Sequence, residues 1–175
     1  MKLLRKILGS SLLLAFISSI CFATIPNSEF ALGGLKKYMT PDEVHQIYGP
    51  PLSSAVKPDP FGKYVMTDIY ILENEQTLKV SYGNENGRWK ISNFITDSRD
   101  VHTDKGIHVG MTTAELFKIY GAPDSSVYPK NRDKVTGIFW YRTIPLKDTK
   151  PGTPHNVMMI YTENGIVTSI SCIYV

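Results

Sequence analysis

The chain has 175 residues, 42% hydrophobic and 20% charged, with 19 basic against 16 acidic side chains. Lys2, Arg5 and Lys6 carry the whole excess, since removing these three from 19 leaves 16 of each sign. Beyond the first residues the chain therefore lacks the basic footprint that counterion release on nucleic acid requires, which excludes nucleic acid as the expected partner.

Residues 1–23 read as a secretory signal peptide: a positive n-region, an apolar run from Ile7 to Ile20, and Cys21-Phe22-Ala23 as a small-x-small cleavage site. Cleavage near Ala23 predicts an exported protein of the periplasm or cell envelope, or a secreted one. Cys21 has a second reading as a lipidated cysteine, but the branched Ile20 beside it fits that processing poorly, and membrane contact is expected only if it is lipidated. Cys172 then stands alone, so no internal disulfide is expected.

A loose N-terminal segment is expected over residues 24–33, followed by a self-similarity at an offset of 72. Between 34–54 and 106–126 there are ten identities in 21 positions, among them Met39/Met111, Thr40/Thr112, Glu43/Glu115, Tyr48/Tyr120, Gly49/Gly121 and Pro51/Pro123. Each copy is a complete short helix in miniature. Thr40 and Thr112 sit at the N-cap with Glu43 and Glu115 three residues on, the spacing of a capping box, and Pro41 takes the first helical position. Gly49 and Gly121 supply the stop and Pro51 and Pro123 forbid continuation. The pattern predicts helices over Pro41 to Tyr48 and Thr113 to Tyr120, burying Val44, Ile47 and Tyr48 in one and Leu116, Ile119 and Tyr120 in the other, with His45 on the solvent face.

Helices of two turns are unstable alone in water, so each needs a sheet to lie on. Extended runs follow both: Tyr64 to Leu72, Thr77 to Tyr82 and Arg88 to Ile95, then Gly137 to Arg142, Asn156 to Tyr161 and Ile166 to Tyr174. Glu85-Asn86-Gly87 and Glu163-Asn164-Gly165 mark hairpins at equivalent places, because Asn-Gly suits the positive φ of a type I′ turn. Short extended pieces near Ser53 to Lys57 and Ser125 to Tyr128 add a strand to each. The expectation is an α+β fold of two tandem repeats, 34–96 and 106–175, joined by a polar connector over 97–105, each repeat a short capped helix on its own three- to four-stranded antiparallel meander.

The run Gly-Met-Thr-x-x-Glu-Leu and then Tyr-Gly-x-Pro, at Gly110 to Pro123, resembles the signature of the SmpA/OmlA (BamE-type) envelope family, and Tyr38 to Pro51 repeats it with Tyr38 in place of the glycine. That resemblance implies a helix-plus-sheet module that assists outer-membrane protein assembly by binding partners. Two such modules in tandem are also similar to the β-lactamase inhibitor proteins (BLIP-like), which implies a secreted enzyme inhibitor. The matched residues cap and pack helices, so they speak for fold rather than for function.

Nothing in the chain spells out chemistry. The histidines, His45, His102, His108 and His155, match no metal-ligand spacing, and there is neither a Gly-x-Ser-x-Gly elbow nor a phosphate-binding loop. No cofactor or metal is expected, and the protein is expected not to be an enzyme; an unrecognised site using His102, His108 and the repeated carboxylates is the remaining alternative. The surplus is aromatic: ten Tyr, seven Phe and two Trp. Strand alternation sends Trp140 to the face opposite Phe139 and Tyr141. Tyr70, Trp89, Trp140 and Tyr141 are the candidate partner-binding residues, since aromatic anchors dominate protein-binding hot spots; the competing reading is that they pack the core.

Overall fold

A computed structural model describes residues 24–128, 136–145, 148, 150 and 152–174. Residues 1–23, read from the sequence as a signal peptide, and with them Cys21, lie outside the described residues.

Two eight-residue helices form where the capping signals put them, α1 over Pro41–Tyr48 and α2 over Thr113–Tyr120. In α1 the Glu43 carboxylate accepts from the Thr40 N–H at 2.7 Å while the Thr40 hydroxyl accepts from the Glu43 N–H at 3.4 Å. In α2 the same pair of bonds joins Glu115 and Thr112 at 2.8 and 3.2 Å. Orphan amides at both helix starts are thus satisfied locally.

Eight strands follow: β1 Ser53–Pro58, β2 Tyr64–Ile71, β3 Thr77–Glu85 and β4 Arg88–Thr96 after α1, then β5 Ser125–Val127, β6 Thr136–Arg142, β7 Asn156–Glu163 and β8 Ile166–Tyr174 around and after α2's end. They form one antiparallel sheet in the order β1-β2-β3-β4-β8-β7-β6-β5. The two Asn-Gly turns close the β3–β4 and β7–β8 hairpins with positive φ at Asn86, Gly87, Asn164 and Gly165.

This overturns the expectation of two tandem helix-plus-sheet repeats, each on its own meander. The fold is mainly β, a single eight-stranded sheet with two short helices. Helix boundaries and strand runs were legible locally, but pairing between the last strands of the two halves was not. β4 and β8 join from Asn93↔Ile173 to Thr96↔Ile170, with Ile95 opposite Ser171 midway. The physical reason is edge closure: a half ending at β4 or β8 would leave a long hydrogen-bonding edge open beside a marginal core, and joining the two removes both edges at once. Within the one sheet the halves match strand for strand. Ser53 faces Ile69 as Ser125 faces Trp140, and a bulge puts Ser92 of β4 opposite the Ser81/Tyr82 step of β3 and Thr168 of β8 opposite the Tyr161/Thr162 step of β7.

Both helices lie on the same side of the sheet, and one core forms beneath them from Tyr70, Leu78, Val80, Tyr82 and Phe94 with Tyr141, Met158, Ile160, Ile170 and Cys172. The helical stripe differs from the expected one at one position in each helix. Val44, Leu116 and Tyr120 are buried as expected, but Ile47 and Ile119 remain 45% and 37% exposed; His45 reaches Asp68, and Phe117, itself 37% exposed, meets Phe139. A helix with only two turns is oriented by its largest ring, and Tyr48 against Tyr70 and Tyr120 against Tyr141 set that orientation.

The segment expected to be loose is held. Ile25, Phe30 and Leu32 are buried, the Ile25 amide donates to the Arg142 carbonyl at 3.1 Å, Asn156 donates to Asn27 at 2.8 Å, and the Tyr174 hydroxyl donates to the Phe30 carbonyl at 2.7 Å. A short 3-10 turn at Asn27–Phe30 thereby packs on the second half of the sheet. The connector is not a solvated linker either: Ser98, Val101 and Thr103 are buried, and the Tyr120 hydroxyl reaches Glu29 at 2.6 Å and Thr103 at 3.2 Å.

Candidate protein-binding face

Strand alternation divides the sheet's side chains between the helix side and an opposite, open side. Among the described residues the helices and the N-terminal segment all pack on the first. The second carries Ser53, Ala55 and Lys57 on β1, Val65, Thr67 and Ile69 on β2, Lys79 and Ser81 on β3, and equivalent positions across β8, β7 and β6, by the register of the ladders.

The aromatic part of this open side is on β6 and β7. Trp140 stands opposite Met159 and Ile138 opposite Tyr161, all four partly exposed. Trp140 is not free to wander. The Arg142 guanidinium lies 5.8 Å from the indole centroid and is itself held by an ion pair with Asp124 and by Ser125 at 3.2 Å. A cation–π contact of this kind limits the rotamers of an aromatic that would otherwise sweep through solvent. Next to it the Tyr161 hydroxyl reaches the Met159 sulfur at 3.8 Å.

Small polar side chains follow toward the middle: Ser169 and Ser171 on β8, Asn93 on β4, Ser81 on β3. Ser81 and Ser171 are each only 6% exposed, shielded by larger neighbours on the same side. On the far side of this strip, Ser53, Ala55, Lys57, Thr67, Ile69 and Lys79 line a shallow groove of about 190 Å³. The open side thus carries an aromatic and methionine plaque at one end, a middle in which Ser81, Asn93 and Ser171 mix with the partly exposed Ile95 and Ile173, and two lysines at the other end.

Of the four residues expected to bind a partner, only Trp140 lies on this face. Tyr141 is fully buried beneath α2, its hydroxyl donating to the Gly121 carbonyl at 3.1 Å, and Tyr70 is 2% exposed beneath α1. Both point to the helix side, and neither presents a side chain to solvent. Trp89 is half-buried on the helix side, packed against the edge of the core. Met159, Tyr161, Lys57 and Lys79 were not singled out from the sequence. For Lys79 a signal exists, because Leu78, Val80 and Tyr82 alternate with it. Asn156 to Tyr161 gives none, since Met158 and Met159 are apolar in both parities.

Besides the Tyr120, Glu29 and Thr103 contacts already described, the helix side holds a polar cluster under α1. His45 Nε2 lies 3.2 Å from Asp68 Oδ2, the Tyr70 hydroxyl reaches the same oxygen at 3.4 Å, and Asp68 is 1% exposed. Burial, first of all, pushes the Tyr70 phenol up to about 12, and raises that of Tyr82 beside it. In the other half the corresponding pair is Phe117 on Phe139, with ring centroids 5.1 Å apart. His102 and His108 bond main-chain oxygens, Thr103 at 3.2 Å and Gly106 at 2.8 Å, and Glu43 and Glu115 are engaged in the caps. Cys172 is buried, which raises its thiol well above the usual range. No group of three or more His, Cys, Asp or Glu side chains fit to hold a metal occurs among the described residues, and no described helix is long and apolar enough to cross a membrane.

No protein-family model matches the chain, and no curated protein sequence matches it. Among solved structures the chain is similar to an extracellular protein containing an SCP domain from Bacillus anthracis strain Ames, at 10% identity over 78% of this chain and a TM-score of 0.48. It spans 43% of that chain's length. It is also similar to a candidate β-lactamase inhibitor protein from Streptococcus mutans, at 12% identity over 86% of this chain and 89% of that one, with a TM-score of 0.33. The second is of the inhibitor type named from the sequence. No SmpA/OmlA match accompanies it, and likeness at this level fixes neither partner nor activity.

Proposed function

We propose that this is an exported, non-catalytic protein-binding module that takes its partner on the open side of the sheet. The observation that carries the reading is the plaque of Trp140, Ile138, Met159 and Tyr161, an apolar surface left uncovered by the described residues and steadied by Arg142. Aromatic anchors with restricted rotamers lose little entropy on binding, and hot spots are built from them. Partner capture from the native envelope with tagged protein tests it. Trp140→Ala lowers capture by at least roughly tenfold, as for a hot-spot residue worth more than about 1.4 kcal/mol, while leaving the melting temperature close to that of the parent. Capture unchanged by Trp140→Ala combined with Tyr161→Ala would sink the reading. The envelope-assembly role implied by the BamE-type motif belongs to the same proposal and is distinguished by the identity of the captured protein.

One observation favours the enzyme-inhibitor variant. The β1–β2 turn protrudes with Phe61 88% exposed, and it is a rigid turn: the Asp59 carboxylate accepts from the Phe61 and Lys63 amides at 2.9 and 2.8 Å. A fixed turn tipped by an aromatic ring is suited to entering a cleft. Inhibition across a panel of β-lactamases and envelope hydrolases that is lost on Phe61→Ala supports this variant, and no inhibition of any of them retires it.

A further inference from the structure

The duplicated scaffold lets one half be compared with the other. The repeat and the register of the ladders match His45, Asp68, Tyr70 and Tyr82 to Phe117, Phe139, Tyr141 and Thr162. Beneath α2 the two phenylalanines stack, and main chain satisfies both hydroxyls: Tyr141 donates to the Gly121 carbonyl at 3.1 Å and Thr162 to the Gly137 carbonyl at 3.3 Å. The fold therefore closes its core at this place without any charged group.

Under α1 the same four positions carry an imidazole, a carboxylate and two phenols, and these do not satisfy one another. Asp68 is 1% exposed and Tyr82 is fully buried, yet Asp68 Oδ1 and the Tyr82 hydroxyl have no hydrogen-bond partner, although Tyr82 adjoins both Asp68 and Tyr70. The contacts that do form run from His45 Nε2 and the Tyr70 hydroxyl to Asp68 Oδ2, at 3.2 and 3.4 Å. Both are long for bonds to a carboxylate, which are usually about 2.5–2.9 Å. They match instead the separation of neighbouring donors around an ion bound at about 2.0–2.2 Å, roughly 3.0 Å along the edge of an octahedron and 3.4 Å along that of a tetrahedron. Unpaired polar atoms in a core are costly, and the other half shows that the scaffold has no need of them.

We infer that His45, Asp68, Tyr70 and Tyr82 form a binding site for a ferric ion. Three of the four donors are oxygens, and hard oxygen ligands suit a hard cation. One carboxylate and two phenolates carry three negative charges, which balance a trivalent ion with neutral imidazole as the fourth ligand. Balance matters here, because an uncompensated charge is costly in a core. The two phenol protons leave for solvent as the ion enters. His45, whose side chain is 36% exposed, stands at the rim and gives the ion its way in. Histidine spacing along the chain carries no sign of the site, since only one histidine takes part and the other donors come from β2 and β3. The site lies on the helix side and does not depend on the open-side plaque.

Ferric nitrilotriacetate is titrated into the purified protein and visible absorption is read, because a phenolate on ferric ion produces a charge-transfer band that neither the apoprotein nor the chelate shows. The band saturates at one equivalent, and zinc at equal concentration does not displace the iron. Tyr82→Phe weakens binding by roughly a hundredfold or more, and Tyr70→Phe combined with Tyr82→Phe abolishes the band. Without iron, Tyr82→Phe melts at the same temperature as the parent or higher, because the hydroxyl removed bonds to nothing in the protein. Trp140→Ala takes up iron as the parent does. Absence of the band, a full band in Tyr82→Phe, or displacement by zinc overturns the inference. So does a lower melting temperature of iron-free Tyr82→Phe, which would assign the hydroxyl to the packing of the core.

Discussion

The pair of His45 and Asp68 is the sharpest case of one residue choice deciding another. At the matching place in the other half two phenylalanines do the same packing without charge. Breaking a buried polar pair from one side strands the survivor, while replacing both by apolar groups of suitable shape is often neutral. His45→Phe alone is therefore expected to cost about 1–2 kcal/mol in urea unfolding, less than for a fully buried pair because the His45 side chain is 36% exposed while that of Asp68 is 1% exposed. The double variant His45→Phe with Asp68→Phe recovers most of that loss; a double variant as unstable as the sum of the singles contradicts the argument. Single residues were also where the sequence was hardest to read. That Tyr70 and Tyr141 are buried while Trp140 is open follows from strand parity, but parity assigns faces only after one knows which face the helix covers.

Among the elements, the helices were the most legible, because their ends are written in local chemistry. Thr40 with Glu43 and Thr112 with Glu115 need no distant partner, and both helices begin and end at the residues the caps indicate. The same bonds have a pH signature. Glu43 and Glu115 are held below the usual carboxylate value of 4.5, chiefly by the backbone amides of Thr40 and Thr112 and then by their hydroxyls. A carboxylate whose pKa is depressed on folding stabilises the fold above its unfolded value, and that contribution disappears as the pH falls through the folded one. Melting temperature is expected to drop between about pH 5 and pH 3, and to drop less steeply in Glu43→Gln with Glu115→Gln. Parallel slopes for parent and double variant would remove the caps from the account. Strands were legible as runs but not as neighbours: β2, β3 and β4 form a meander that turn spacing foretells, whereas the ladder from Asn93 to Thr96 joins residues separated by most of the second half.

At the scale of the whole molecule, that ladder decides the architecture. Its four pairs make one sheet out of two halves that sequence similarity alone presents as independent. A fragment of residues 24–104 would keep α1 and β1 to β4 but expose β4 along its length, with Phe94 no longer covered by the Tyr174 ring, whose centroid lies 6.0 Å away in the intact chain. Such a fragment is expected to self-associate or remain unfolded, as light scattering and circular dichroism will show, since an uncovered edge invites pairing and a core of that size is marginal. A monomeric, cooperatively melting fragment would mean that the halves are domains after all.

The docking of Ile25, Asn27 and Phe30 on Arg142, Asn156 and Tyr174 bears on how the chain comes to be made. Synthesis proceeds from the amino end, and domains generally fold as units. Here Ile25, Asn27 and Phe30 find their seats on strands translated last. A nascent or prematurely terminated chain therefore keeps a greasy stretch, Ile25, Phe30 and Leu32, in view of proteases and chaperones until β6 to β8 have been made to cover it.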